Sequence, residues 1–342
     1  MKTKDFNLST TKLFNLKIIT IFSFLFFLIA AHVDFMALVD TVFYLEALED
    51  THNFLDVLDN SHRWGSDIGY IIFSYLISLF SNGYMFSGFL IVTTMYLLLL
   101  FSTLPYIDSR YYVLLLLMLL FSFTFIGLFF NVWRQGFSQF LILLSIVYKD
   151  RLFYIFRVLA LTFHAPTAIF FLYIPKFKKF KTAALIISFT LVFISLLGME
   201  FIISLSFPEL MSVVEVYREA KSTAPIIRYV YAIFLFLSFT LFHGYFSGKD
   251  IVVSSQFYNL IILILFVGFL FLYIMPAASE RFMHYFYLII PFYFIDVLMK
   301  VNKKVRLYTL LFIFFHVSIM MILMTASNSW SLVISSFKVW YY

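Results

Sequence analysis

The chain has no cysteine, and only 12% of its 342 residues are charged. Without cysteine it cannot be a small secreted scaffold held by disulfides. The shortage of charge excludes an ordinary soluble fold, since average globular chains are roughly one quarter charged and about half apolar. Here 63% of residues are hydrophobic and the mean hydropathy is +0.99. That leaves too little polar surface to cover a water-facing fold of this length, and far too much apolar surface for a disordered chain. Several chemical signatures are also missing. There is no glycine-rich phosphate loop, no serine nucleophile elbow, no HExxH sequence and no cysteine cluster. The net charge of +6 and the pI near 9.2 do not call for nucleic acid, because lysine in short membrane-protein loops gives the same balance. What the chain does have is bulk: 49 Phe, 23 Tyr and 4 Trp. The expectation is an all-α, polytopic integral membrane protein, a single domain over residues 1–342 with about 10–13 transmembrane or broken helices.

Apolar runs and polar connectors set the expected topology. The first run, Ile18 to Ala31, follows Lys2, Lys4, Lys12 and Lys17 and reads as a retained first span, not a cleaved signal. Residues 32–67 form an acidic outer loop with amphipathic helical spacing, carrying Asp34, Asp40, Glu46, Glu49, Asp50, Asp56, Asp59 and Asp67 against Arg63. Later spans are expected near 68–80, 85–103, 111–130, 137–148, 152–174, 182–207, 226–246, 251–275, 282–299 and 306–326. Lysine-rich connectors such as Lys176-Phe-Lys-Lys-Phe-Lys181 and Lys300-Val-Asn-Lys-Lys-Val-Arg306 belong to the cytoplasmic side. The second outer loop is expected at 208–225. His164-Ala-Pro166 predicts a helix break, since proline disturbs the turn before it, and the preferred reading of this region is that 111–130 dips in and returns, with 137–148, 152–163 and 166–175 as three short crossings. In this frame Lys gathers inside, while Arg63, Arg110, Arg134, Arg218, Arg228 and Arg281 fall outside or in the outer half. The positive-inside rule does not separate Arg from Lys, so the outer arginines need another cause.

Arg134 is the clearest such case. A charge inside an apolar run costs about 2.5–3.5 kcal/mol on insertion scales and is a functional hypothesis by default. Asn131, Arg134, Gln135 and Ser138 share one helical stripe, so this arginine has more company than one that merely snorkels to headgroups. His164 lies in an apolar stretch at the predicted break and can accept a proton near neutral pH, although a single membrane histidine also serves as an interhelical hydrogen bonder. Arg228 points into the start of an apolar run. Glu280-Arg281-Phe-Met-His284-Tyr285 is expected to open a helix after Pro276, with Glu280 in the first turn. Several guanidinium groups on one cavity suit a diphosphate, because their forks pair phosphate oxygens and stay charged. No metal site is expected; Asp34 and Asp40 lack a third ligand.

Asn131-x-x-Arg134-Gln135 followed by Phe163-His164-Ala-Pro-Thr167 resembles the signature of EpsG-like, Wzy-type polysaccharide polymerases. The acidic loop with Asp34, Asp40 and Tyr44 resembles that family's first outer segment. Asp67-Ile-Gly-Tyr70 resembles the next element, and Arg281-Phe-x-x-Tyr285-Phe is similar to its late Arg-Tyr motif. Asp34-Phe35 departs from the expected aspartate–tyrosine pair. The resemblance covers roughly residues 32–175 and 280–295.

The resemblance implies a GT-C-like architecture and a multi-pass glycosyltransferase of the bacterial inner membrane, with its site facing the periplasm or exterior. It would join undecaprenyl-diphosphate-linked repeat units, needing no cofactor and no nucleic acid. Membrane lipids surround such an enzyme, and a chain-length regulator is an expected partner. Arg134 and Arg281 are expected on the diphosphate, His164 on the acceptor hydroxyl, and Asp40 as substitute base. Asn131, Gln135, Arg218, Arg228, Arg63, His284 and Tyr285 are expected to bind substrate, and outer Tyr and Trp side chains to stack on sugars. A lipid-linked oligosaccharide flippase, an O-antigen ligase and a membrane acyltransferase are the alternatives.

Overall fold

The computed structural model describes residues 16–28, 30, 44–46, 53, 55–56, 67–81, 84–122, 133–148, 151–172, 224–248, 251, 255–274 and 276–326. Among these there is helix and no strand, as a lipid solvent requires: each helix satisfies its own backbone donors and acceptors. The helices are α1 (Leu16–Leu28), α2 (Ile68–Ser81), α3 (Met85–Phe101), α4 (Tyr112–Leu120), α5 (Trp133–Val147), α6 (Arg151–Phe163), α7 (Ala224–Ser247), α8 (Tyr258–Ile274), α9 (Pro276–Lys300) and α10 (Lys303–Ala326). Three stretches are long and apolar enough to cross a membrane: Met85–Tyr106, Ile226–Ser247 and Ser279–Lys300. The all-α, membrane-spanning class is therefore as the composition predicts.

Two boundaries differ from the expected spans, each for a local reason. α4 is a nine-residue helix that stops at Leu120, not a span to residue 130, and residues 123–132 lie outside the described set. At about 1.5 Å per residue α4 is too short to cross. α9 begins at Pro276, earlier than 282, because proline suits a first helical position where no amide donor is needed. The break at His164 is where the proline predicts it: α6 ends at Phe163, and a 3-10 segment, Ala165–Leu172, follows.

The chain divides into two compact units, residues 1–168 with 317–342, and residues 169–316. In the first unit α5 is the central element. All of its residues except Arg134 are buried. α6 returns antiparallel beside it, with Ser138 Oγ donating to the Ala160 carbonyl at 3.0 Å. Lipid tails are as apolar as leucine, so such helices associate through close packing and hydrogen bonds instead of hydrophobic drive. Two glycines allow that closeness. A methyl on Gly69 of α2 would lie 2.7 Å from Thr162 Cβ and 2.9 Å from the Thr162 carbonyl carbon of α6. One on Gly136 of α5 would meet the Tyr96 phenol, which donates to the Trp133 carbonyl at 2.7 Å.

In the second unit α9 is buried along almost its whole length, with α7 and α8 packed on it. Ser279 donates to the Gly268 carbonyl at 2.7 Å, and Tyr229 to the Leu265 carbonyl at 2.8 Å. His243 of α7 lies 2.7 Å from Thr309 Oγ1 of α10, and Tyr231 Oη lies 2.8 Å from His316 Nδ1. Outer faces are openly apolar: Tyr245 is 84% exposed, Phe80 76% and Phe314 71%. Apolar surface on this scale is a lipid contact.

Candidate functional site

The start of α2, the start of α5 and the end of α6 meet at one end of the first unit. Asp67 stands immediately before α2, and its carbonyl accepts the helix's first amide bonds from Tyr70 (3.0 Å) and Ile71 (3.1 Å). Its backbone is thereby fixed while its side chain reaches across to α5. Arg134 donates from Nη1 to Asp67 Oδ2 at 3.0 Å, with the two side chains 24% and 12% exposed. The guanidinium also makes a hydrogen bond to Tyr44. Its Nε is buried and has no partner among the described residues, and the same is true of Trp133 Nε1.

An aromatic floor supports the pair. Tyr44 stacks on Trp133 (5.4 Å) and tilts against Tyr70 (5.3 Å). Phe137 stacks on Tyr96 at 4.2 Å and meets Phe73 edge-on at 4.5 Å; Phe163 lies 5.6 Å from Phe137. Tyr44, Trp133 and Tyr70 are buried against each other, so their faces are not available to a sugar. They hold the arginine instead.

The polar stripe expected on α5 divides by task. Ser138 serves the α5–α6 contact, Gln135 is buried, Arg134 takes the carboxylate, and Asn131 lies outside the described residues. His164 is buried at the same end, on the turn that closes α6. Its amide bonds the Ala160 carbonyl at 3.0 Å, and its carbonyl accepts from Thr167 N (3.0 Å) and Oγ1 (2.6 Å). The hairpin thus brings Arg134, Asp67 and His164 to one end. Asp40, Arg63 and Arg218 lie outside the described residues.

The second unit carries another arginine–carboxylate pair. Arg228 of α7 bonds Glu280 of α9 through Nη1 and Oε1, with both half-buried. Tyr287, two turns on from Glu280, donates to the Arg228 carbonyl at 2.8 Å. His284 lies on the same face between them, in the field of both Arg228 and Arg281, and its buried Nδ1 has no partner among the described residues. Tyr285 is buried against Phe170 at 4.7 Å. Glu280 is not in the first turn of α9, because the helix starts four residues earlier than the charge pattern suggests. Its charge is balanced by Arg228, not by the helix dipole.

The order of these elements along the chain is what one family predicts. A protein-family model described as the EpsG family matches residues 18–339, nearly the whole chain. The chain belongs to the EpsG family. No curated protein and no solved structure matches it significantly. EpsG membership supports a polysaccharide-polymerase-like, glycosyltransferase-like activity in a membrane protein.

Two charged residues have surroundings that the sequence does not show, Asp67 in this EpsG-family site and Arg157 farther along the α5–α6 hairpin. The Asp67-Ile-Gly-Tyr70 motif marks Asp67 but not its partner, which lies 67 positions away. Arg157 is 1% exposed in the middle of α6. Its guanidinium lies 3.9 Å from the Phe153 ring centroid, and its Nε lies 3.4 Å from Ser145 Oγ. The signal was present in the periodicity. Phe153, Arg157, Ala160 and His164 share the buried face, while Leu152, Tyr154, Ile155, Val158 and Leu159 face outward. Among the described residues no group of His, Asp and Glu could hold a metal ion.

Proposed function

We propose that this EpsG-family protein polymerises undecaprenyl-diphosphate-linked oligosaccharide repeat units at the outer face of the bacterial inner membrane. The observation that carries the reading is Arg134: a half-buried, permanently charged fork whose buried Nε meets no acceptor among the described residues. In the reaction a hydroxyl of one lipid-linked repeat attacks the anomeric carbon of the growing glycan. The bond from that carbon to the lipid diphosphate breaks, and charge grows on the phosphate oxygens. A preorganised guanidinium at that position stabilises the leaving group where the charge develops, without requiring a metal. Arg134 is assigned to the diphosphate, and His164 to the acceptor. In the second unit Arg228, Arg281, His284 and Tyr285 are assigned to substrate binding, and Arg281 to the diphosphate. Asn131, Gln135, Arg63 and Arg218 are further substrate contacts, with Asp40 a reserve carboxylate and a chain-length regulator the partner protein.

The decisive experiment is glycan profiling of a strain lacking this protein. Loss of long chains with single repeat units retained at the surface is the expected result. Loss of all surface glycan would point instead to a flippase or ligase, and unchanged chains would end the polymerase reading.

Sidedness is tested separately, and the absence of native cysteine makes the test clean. Trp133 is too buried to label, but Glu46, Lys303 and Lys304 are exposed. Glu46→Cys should react with an impermeant thiol reagent on intact cells, and Lys304→Cys only after permeabilisation. The opposite pattern would place the site on the cytoplasmic side and refute the outer-face assignment.

A further inference from the structure

We propose that Asp67 is the general base of this reaction, taking the proton of the acceptor hydroxyl as its oxygen attacks the anomeric carbon. The inference rests on the polymerase reading above and adds a named proton acceptor to it.

The geometry that points to Asp67 is its pairing with Arg134. Among the described residues it is the carboxylate that meets this guanidinium, at 3.0 Å, and it is nearly buried. A carboxylate held by a guanidinium is ionised, so it starts the cycle able to accept a proton. While the pair is closed it is also a poor base, because the arginine stabilises its charge. Arrival of a diphosphate changes both conditions. The new anion competes for the same guanidinium, and its charge beside the carboxylate favours the protonated form of Asp67. The substrate thereby creates the base it needs. An empty site keeps the charge neutralised.

Local structure makes such an exchange short. The Asp67 backbone is fixed by its place at the start of α2, with Tyr70 and Ile71 amides on its carbonyl. Behind it, Gly69 is packed hard on Thr162. Release from Arg134 is therefore a rotation about the two side-chain torsions of an aspartate, with no helix movement. The same packing sets the start of α2 against the last turn of α6, which ends just before His164, the residue assigned above to the acceptor.

The step balances as follows. The acceptor oxygen forms its bond to the anomeric carbon while the carbon–oxygen bond to the lipid diphosphate breaks. The electron pair leaves with the diphosphate, and the hydroxyl proton passes to the Asp67 carboxylate. The product side then holds a neutral carboxylic acid next to an arginine–diphosphate pair. Loss of the lipid diphosphate and of that proton to solvent restores the Asp67–Arg134 pair.

The test separates binding from turnover, using purified full-length protein. Undecaprenyl diphosphate is the binding probe, and lipid-linked repeat units extracted from a strain lacking this protein are the turnover substrate. Asp67→Asn should bind undecaprenyl diphosphate as tightly as wild type or tighter, since a competing anion is gone. Polymer formation should fall at least about 100-fold, the usual contribution of a general base. Asp67→Glu keeps a carboxylate and should still form polymer, more slowly. Two results would overturn the proposal: Asp67→Asn polymerising within about tenfold of wild type, or losing undecaprenyl diphosphate binding together with its rate. The second would make Asp67 only a support for Arg134. If the Asn variant fails to accumulate in membranes, Asp67→Glu decides, and absence of polymer with binding intact refutes the base. Wild-type protein that binds the probe and yields no polymer would instead overturn the polymerase reading itself.

Discussion

Arg134→Ala is expected to reduce polymer formation by about 100-fold or more, leaving single repeat units at the cell surface. Removing one preorganised donor from a developing oxyanion costs about 2.7–4 kcal/mol of transition-state stabilisation in well-studied sites. Here the lost group is a charged fork. Its replacement also leaves Asp67, 12% exposed, without its counter-charge. Protein abundance in the membrane is therefore measured beside glycan length. Arg134→Lys separates the two effects, because it keeps the charge near Asp67 and removes the planar fork. It should accumulate as wild type does and make shortened or sparse chains. Long chains persisting in the Ala variant would remove Arg134 from the chemistry.

The second large effect is steric and lies away from the charges. Gly69→Val should lower the thermal midpoint of the purified protein and abolish polymer together. A side chain at Gly69 meets the Thr162 backbone, and backbone in the last turn of α6 cannot swing aside as a flexible side chain can. Overpacking of this kind costs about 1–3 kcal/mol. Relief comes by moving the start of α2 away from α6, which draws Asp67 off Arg134. Two other glycines provide the contrast. A methyl at Gly268 would press on the end of the Met283 side chain, which can move, and one at Gly244 would meet nothing within 4 Å. Gly244→Ala should be neutral or slightly stabilising, since alanine is the better helix former. A Gly69→Val protein of normal midpoint and activity would show that the α2–α6 contact does not place Asp67.

Much of this architecture is legible before any coordinates. The spans follow from apolar run length, and the break at His164 follows from Pro166. Arg134 stands out because lipid makes an isolated charge expensive. What one chain read in order does not show is which distant groups answer such a charge. Asp67 and Glu280 are ordinary acids near helix starts until α2 and α9 bring them to Arg134 and Arg228. Aromatic residues are ambiguous for the same reason. Tyr44 and Trp133 could have offered their faces to a sugar, and packing against each other uses them up. Arg157 was hidden differently. A basic residue near one end of an expected span does not show which way it faces until its neighbours at helical spacing prove to be the buried ones.

The paired hydrogen bonds between α7 and α10 have a consequence for where an anion is met. Tyr231 is one turn from Arg228, and His243 is about 18 Å farther along the same helix. The first is bonded to His316 and the second to Thr309. Water does not compete for either bond inside a bilayer, and a one-residue slide of α7 against α10 would break both. Two such fastenings, at opposite ends of one rod, remove translation and tilt together. Arg228 is consequently held at one register against α10 by bonds in which it takes no part. The level of that charge is a dimension built into the second unit, set by helix register.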